Sequence, residues 1–232
     1  MALVRKNIVI VADDFGISPA ANAHILELAR ANKIDRVAVM VNGRFSDREI
    51  AELLATNKPL EIHLNLAQNP EEEKRKIEEG FFSRSLFFVF NFLFGKIRPS
   101  RVEKEWAGQI EKFKKLFGRY PAGLNSHEHI HFFPPYFKIA VGLARRFEIP
   151  RIRFGRKGII KGQNGASKII SNLRKRNCRI FKESGLETSD FLASLDWIKD
   201  LEKFFNNFLD RKTEIVCHPE RQREKEIISK YF

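Results

Sequence analysis

An unbroken β-branched run, IVIVA at residues 8–12, opens the regular pattern of the chain and stops at two aspartates, Asp13 and Asp14. A run without alternation is what a strand covered on both faces requires. Ser18 followed by Pro19 predicts a helix start, and Ile25, Leu28 and Ala29 share the face that follows. The unit repeats: RVAVMV at 36–41 predicts a second strand, and SDRE at 46–49 a capping box opening a helix through Leu54. LEIHLNL at 60–66 alternates strictly, with Leu60, Ile62, Leu64 and Leu66 on one face and Glu61, His63 and Asn65 on the other. The apolar face is expected to meet helices, and the polar face to look into something wet or charged.

Residues 70–98 read differently, with an acidic start and a run of phenylalanines, and are expected to form an inserted flap or helical excursion. SRVE at 100–103 predicts another capping box, and Val102, Trp106, Ile110, Phe113 and Phe117 mark one stripe of a long helix closed by Gly118. AGLNSH, from Ala122, predicts a strand, and Pro134 and Pro135 start a helix burying Ala140, Leu143, Ala144 and Phe147. IRF at 152–154 predicts a fifth strand, and the Gly- and Lys/Arg-rich region 155–183 a helix around 166–182. Trp197, Leu201, Phe204, Phe205 and Phe208 mark the last large helix, before a final strand in TEIVCHP at 213–219. Such repeated units imply an α/β fold with a parallel sheet, either doubly wound or curled into a (β/α) barrel. No repeat or low-complexity linker divides the chain, so residues 1–232 are expected to be a single domain with the Phe-rich insertion at about 70–98.

Composition bears on partners more than on fold. Lys and Arg number 42 against 29 acidic residues, a net charge of +13, which raises nucleic acid or an anionic surface as a partner. A solvated basic face is the commoner meaning of such an excess, and nucleic acid is not the expected partner. Cys178 and Cys217 lack CxxC spacing and read as core thiols in a reducing compartment, so a cytoplasmic location is expected. The stretch MALVRKNIVIVADD lacks the apolar core and cleavage chemistry of a secretory signal, so export is not expected. The most lipid-like stretch, LFFVFNFLF at 86–94, falls far short of the roughly 20 residues that a membrane span needs. The phenylalanines of 81–94 are expected to be buried under a flap or at a subunit interface, the latter implying a homodimer.

Polar residues gather at the predicted strand ends: Asp13 and Asp14, then NSHEHIH at 125–131, then His218. The C-terminal ends of parallel strands are where α/β folds build active sites. In an extended segment His127, His129 and His131 would share a face, with alternate residues roughly 6–7 Å apart and the outer pair about 13 Å apart. Metal–imidazole bonds are about 2 Å, so one ion cannot readily take all three. The remaining ligands must come from elsewhere in the chain, with Asp14 and His63 as the natural candidates. Two histidines and a carboxylate leave positions open for water and substrate, which is a catalytic pattern. Plainer readings exist for each: a wet histidine loop, a capping pair of aspartates, and satisfied structural histidines at His63 and His24.

ADDFGIS at 12–18, HLNL at 63–66, NSHEHIHFFP at 125–134 and CHP at 217–219, in that order and spacing, resemble the YdjC-like carbohydrate deacetylase family, whose bacterial members include chitooligosaccharide deacetylases. A weaker likeness runs through GLETSDFLA at 185–193. The resemblance implies a (β/α) barrel-like fold, a distorted or incomplete TIM-type barrel, and divalent-metal hydrolysis of an N-acetyl group from an amino sugar. It implies Asp14, His63 and His127 as ligands of one divalent ion, Asp13 as general base, and His218 as acid or transition-state stabiliser. His129 and His131, with Asn65 and Asn125, would line the site or orient ligands around a small carbohydrate. The donor set suits zinc, and completion by water permits magnesium or manganese.

Two positions depart from the family pattern. Asn125 stands where the family usually has Asp, keeping hydrogen bonding and losing the charge that could orient a metal-bound histidine. After CHP the family commonly continues with an arginine and a glutamate before a last helix, where this chain has ERQREKEIISKYF. Two other readings stand beside the deacetylase. Metal-assisted phosphoester cleavage draws on Arg156, Lys157, Lys161, Arg174, Lys175 and Arg176, and a non-catalytic sugar-binding member draws on Asn125.

Overall fold

The computed structural model describes residues 7–66, 98–160, 162, 165–208 and 210–232. The expected insertion at 70–98, and with it the phenylalanine interface, lies outside the described residues except for Arg98. Among the described residues, seven strands pair in parallel: β1 (Ile8–Phe15), β2 (Arg36–Val39), β3 (Leu60–Leu64), β4 (Leu124–Ser126), β5 (Gly158–Ile159), β6 (Phe191–Ser194) and β7 (Thr213–Cys217). Their order is β4-β3-β2-β1-β7-β6-β5.

The sheet curls far enough for its two sides to be bridged. Leu124 N donates to Arg151 O at 2.9 Å and Arg153 N to Leu124 O at 3.0 Å, while Ile152 N donates to Glu187 O at 3.0 Å. Residues 151–153 thus sit between β4 and the approach to β6, but through isolated bridges and not a full ladder. The fold is an α/β barrel-like one with an imperfect seam at the stretch where a fifth strand was expected.

Local chemistry explains the helices. Ser18 accepts from Ala21 N at the start of α1 (Pro19–Arg30), and Ser46 with Glu49 makes a complete capping box at α2 (Asp47–Ala55). In α3 (Pro99–Phe117), Val102, Trp106, Ile110, Phe113 and Phe117 are all buried, and Gly118 ends the helix in a left-handed conformation at φ 70°. Trp106 Nε1 donates to Asn65 O at 3.1 Å, while Gln109 accepts from Asn65 N and donates to Asn65 O at 3.1 and 2.8 Å, so α3 holds the end of β3. Helices α4 (Pro134–Arg146), α5 (Gly165–Ser184), α6 (Leu201–Phe208) and α7 (Gln222–Tyr231) complete the set. Among the described residues no helix is long and apolar enough to cross a membrane.

Several elements differ from the sequence pattern for identifiable reasons. Pro99 takes the first helical position of α3 and moves its start ahead of Ser100, so no capping box forms there. Trp197 lies in a separate 3-10 turn, Leu195–Trp197, so α6 is shorter than its aromatic spacing suggested. The strand β6 is brief and contains serine, and its pattern did not announce it. ERQREKEIISKYF supplies α7, whose mostly charged sequence buries only Glu224 and Ile228 fully along the helix. Cys217 is buried as expected, whereas Cys178 is only partly so; both are free thiols.

The barrel interior is charged. Arg151 reaches both Glu61 on β3 and Glu214 on β7, strands that are not neighbours, which requires contact across the inside of the curl. Arg153 continues the chain of charges from Glu214 to Asp13, and Arg36 joins Glu61 from the half-exposed end. The polar face predicted for residues 60–66 therefore looks into fixed charge and not into water, and all of β3 is buried.

Candidate active site

Two consecutive residues on a regular strand point to opposite faces, yet Asp13 and Asp14 both approach His63. The backbone supplies the reason. The β1–β2 register shifts between Ala12 and Phe15, and Asp14 sits at φ 69°, a left-handed conformation inside the strand's end. Gly16, at φ 106°, continues the turn where a Cβ would meet Met40 O at 2.8 Å. Buried Asn22 pins it: Oδ1 accepts from Gly16 N at 2.6 Å, and Nδ2 donates to Arg44 O at 2.8 Å and Glu49 Oε1 at 2.9 Å.

Asp14 Oδ1 lies 3.1 Å from His63 Nε2 and 2.9 Å from His127 Nδ1. One ligand atom from each of these three residues lies within 4.8 Å of the other two, a cluster that could hold a metal ion. Burial works to raise the Asp14 carboxyl, and the charges and hydrogen bonds of His127 and His63 overcome it and hold it well below the usual range. On the far side of the ring, His63 Nδ1 meets Asn125 Oδ1 at 2.5 Å, and Asn125 Nδ2 donates to Glu61 Oε2 at 2.8 Å.

The histidine stretch is not extended. β4 ends at Ser126, and residues His127–Phe132 form a 3-10 turn kinked by left-handed φ values of 52° at Glu128 and 55° at His129. The alternation used to space the three rings therefore does not apply. The turn sends them to different surroundings. His127 faces Asp14. His129 packs against Trp197, Phe132 and His131, and its Nδ1 is buried without a hydrogen-bond partner. His131 is tied to Ser126 Oγ at 2.6 Å and to Arg153 O at 3.0 Å, and burial, with the Arg153 charge, pushes its pKa down to about 3. Both ring nitrogens are thus engaged within the protein.

Asp13 is held by Arg153, Nη1 to Oδ2 at 2.6 Å and Nη2 to Oδ1 at 2.8 Å. His218 follows β7, half-buried, with Nδ1 3.4 Å from Glu224 Oε2 and its backbone N donating to the same oxygen at 2.8 Å. Burial works to lower the His218 pKa, but Glu224, with the Asp14 charge behind it, raises it above the ordinary value. Arg221 Nη1 bonds Glu224 Oε1 at 2.8 Å, so the tail provides an arginine and a glutamate beside the site after all. Asn65 is buried with Oδ1 unpartnered, and His24 Nδ1 lies 2.8 Å from Pro219 O, the structural placement expected of it.

Arg153, Glu214 and Glu224 escaped the sequence reading, which set Glu61 on the polar face of its strand without giving it a part in the site. The available signal was Arg153 within the predicted strand 152–154 and Arg151 just ahead of it, with Glu61 and Glu214 on other strands. Of the basic residues behind the phosphoester reading, Arg174 is buried and donates to the Gly155 and Arg156 carbonyls, and Lys157 pairs with Asp190 at 2.9 Å. Arg156, Lys175 and Arg176 are exposed, and Lys161 lies outside the described residues.

The chain is similar to known proteins over most of its length. The chain is 26% identical over 192 residues to the carbohydrate deacetylase of Mus musculus, covering 79% of this chain and 61% of that protein. It is 26% identical over 221 residues to the chitooligosaccharide deacetylase of Escherichia fergusonii, covering 93% of this chain and 82% of the other. The chain thus spans about three-fifths of the mouse relative's length. A crystal structure from Enterococcus faecalis V583, of a protein named for cellobiose-phosphate cleavage, superposes with a TM-score of 0.60 at 20% identity over 94% of this chain and 84% of that one, a likeness of fold. A family profile described as YdjC-like protein matches residues 7–230, which takes in the strand-end aspartates, the histidine turn and the tail alike. On that match, the chain belongs to the YdjC-like protein family.

Proposed function

We propose that the chain is a divalent-metal-dependent hydrolase that removes an acetyl group from an N-acetylated amino sugar or oligosaccharide. One observation carries the reading: Asp14, His63 and His127 converge beside an arginine-held Asp13 at the C-terminal ends of parallel strands. The deacetylase names of the relatives point the same way. The residues fit a cation. Asn125 Oδ1 can only accept, so the proton of a neutral His63 belongs on Nδ1, and the Nε2 lone pair then opposes Asp14 Oδ1 at 3.1 Å. Two lone pairs facing each other call for a positive charge between them. Zinc and magnesium are the ions to test first.

A divalent ion bound there supplies Lewis acidity toward an amide carbonyl and acidifies water. The side chains supply the rest. Asp13 takes a proton from the attacking water, and the Arg153 fork leaves a lone pair on each carboxylate oxygen while fixing their direction. His218, whose charged form Glu224 favours, gives a proton to the departing amine. The products are acetate and a free amino sugar.

The free thiols support a reducing compartment, the cytoplasm. The test is acetate release from N-acetylglucosamine oligomers with zinc, magnesium or manganese supplied. Release abolished by His127→Ala with the fold intact supports the proposal. No acetate from any acetylated sugar with any of these ions sinks it and leaves the sugar-binding reading, whereas turnover of generic phosphate esters favours the phosphoesterase.

A further inference from the structure

The amide of Asn125 stands between two groups that dictate its orientation. Glu61 Oε1 accepts from Arg36 Nη1 at 2.9 Å and Arg151 Nε at 3.1 Å, leaving Oε2 for Asn125 Nδ2 at 2.8 Å. Held by two arginine donors, the Glu61 carboxyl serves as an acceptor, and the amide turns its NH2 toward it. The amide oxygen is left facing His63 Nδ1 at 2.5 Å, which must then be the protonated nitrogen. Glu61, Asn125 and His63 are 1%, 0% and 2% exposed, so water cannot substitute for any partner.

We propose that Glu61 is a positioning residue for the cation site, acting through Asn125 to fix the His63 tautomer and aim Nε2 at Asp14. The inference rests on the reading of His63 as a ligand. It changes the meaning of the amide at 125. A carboxylate there would bring an anionic oxygen to within hydrogen-bond distance of Glu61 Oε2, where a donor now stands. The charge the relay needs is already present, one residue further back.

The pair can be exchanged. In Glu61→Gln the new amide no longer dictates which way Asn125 faces, and in Asn125→Asp two carboxylates confront each other. In the double variant the introduced amide at position 61 donates to the introduced carboxylate at position 125, and that carboxylate accepts from His63. Calorimetric titration of metal-stripped protein with Zn2+ should show each single variant binding at least about tenfold more weakly, as loss of a ligand's supporting partner typically does, with most of the loss recovered in the double variant. Melting curves of the metal-free proteins should show the same non-additivity. Proton–nitrogen NMR of the Zn2+-loaded natural chain should place the His63 proton on Nδ1.

A proton on Nε2, losses that add in the double variant, or no Zn2+ binding by the natural chain would each overturn the proposal. The NMR result needs no variant and stands even where a variant fails to fold. If the cycle and the NMR hold but no acetate is released, the deacetylase reading fails alone. If acetate is released but the losses add, this proposal fails alone.

Discussion

Arg153 closes on Asp13 as a fork, with two hydrogen bonds of 2.6 and 2.8 Å between side chains that are 0% and 2% exposed. A lysine keeps the charge and loses the second prong. Arg153→Lys should lower kcat for acetate release by about tenfold to a hundredfold, less than the roughly 10²–10⁴ that a placed general base supplies in full, and leave KM nearly unchanged. Steady-state kinetics decide it, and an equal rise in KM would assign the fork to substrate binding.

Glu224 should set the alkaline limit of activity. It raises the His218 pKa against the opposing effect of burial, and His218 must be protonated to donate. Glu224→Gln removes the charge, lowers that pKa and should move the alkaline limb of the kcat–pH profile to lower pH. An unmoved limb would take the acid role from His218.

His131 makes stability depend on pH in a defined window. Its folded pKa of about 3 lies below the ordinary 6.5, so its contribution is complete above pH 6.5 and is lost as pH falls toward 3. His129, also held low by burial first and the Arg153 charge next, acts in the same direction. Urea unfolding between pH 7 and 5 should show stability falling by up to about 1.4 kcal/mol per pH unit for each such histidine. His131→Phe should be less stable at pH 7, since the Arg153 carbonyl loses its donor, and its stability should fall less steeply with acid.

Gly123 should resist even alanine. A Cβ there would lie 2.9 Å from both Cδ and Oε1 of Glu61, which two arginines and Asn125 hold in place. Gly123→Ala should cost about 1–3 kcal/mol of stability in denaturant unfolding, as overpacking does, and weaken Zn2+ binding in parallel.

The parts legible in the sequence were those with local causes. The capping box at Ser46, the stripe on α3 and the Gly118 stop each follow from residues within a few positions of one another. Asp14, His63 and His127 were legible because each ends or occupies a strand, and strand ends converge in this fold class. The bulge that turns both aspartates inward was not, because Asp14 adopts a left-handed conformation without being glycine. The same holds for Glu128 and His129, where the signal is again absent and the extended spacing misleads. The charged interior was hidden for a different reason. An arginine within a three-residue strand reads as solvent-facing until the curl of the sheet supplies Glu61 and Glu214 as partners.

The register shift at the end of β1 turns two covalent neighbours, the expected base and the expected ligand, toward the same imidazole. Asp13 and Asp14 share one peptide plane, so a displacement of the strand carries both backbones together. The barrel therefore has to hold a single rigid unit against His63 and His127, and not two independent groups. Any change that shifts the end of β1 is therefore felt at both carboxyls at once.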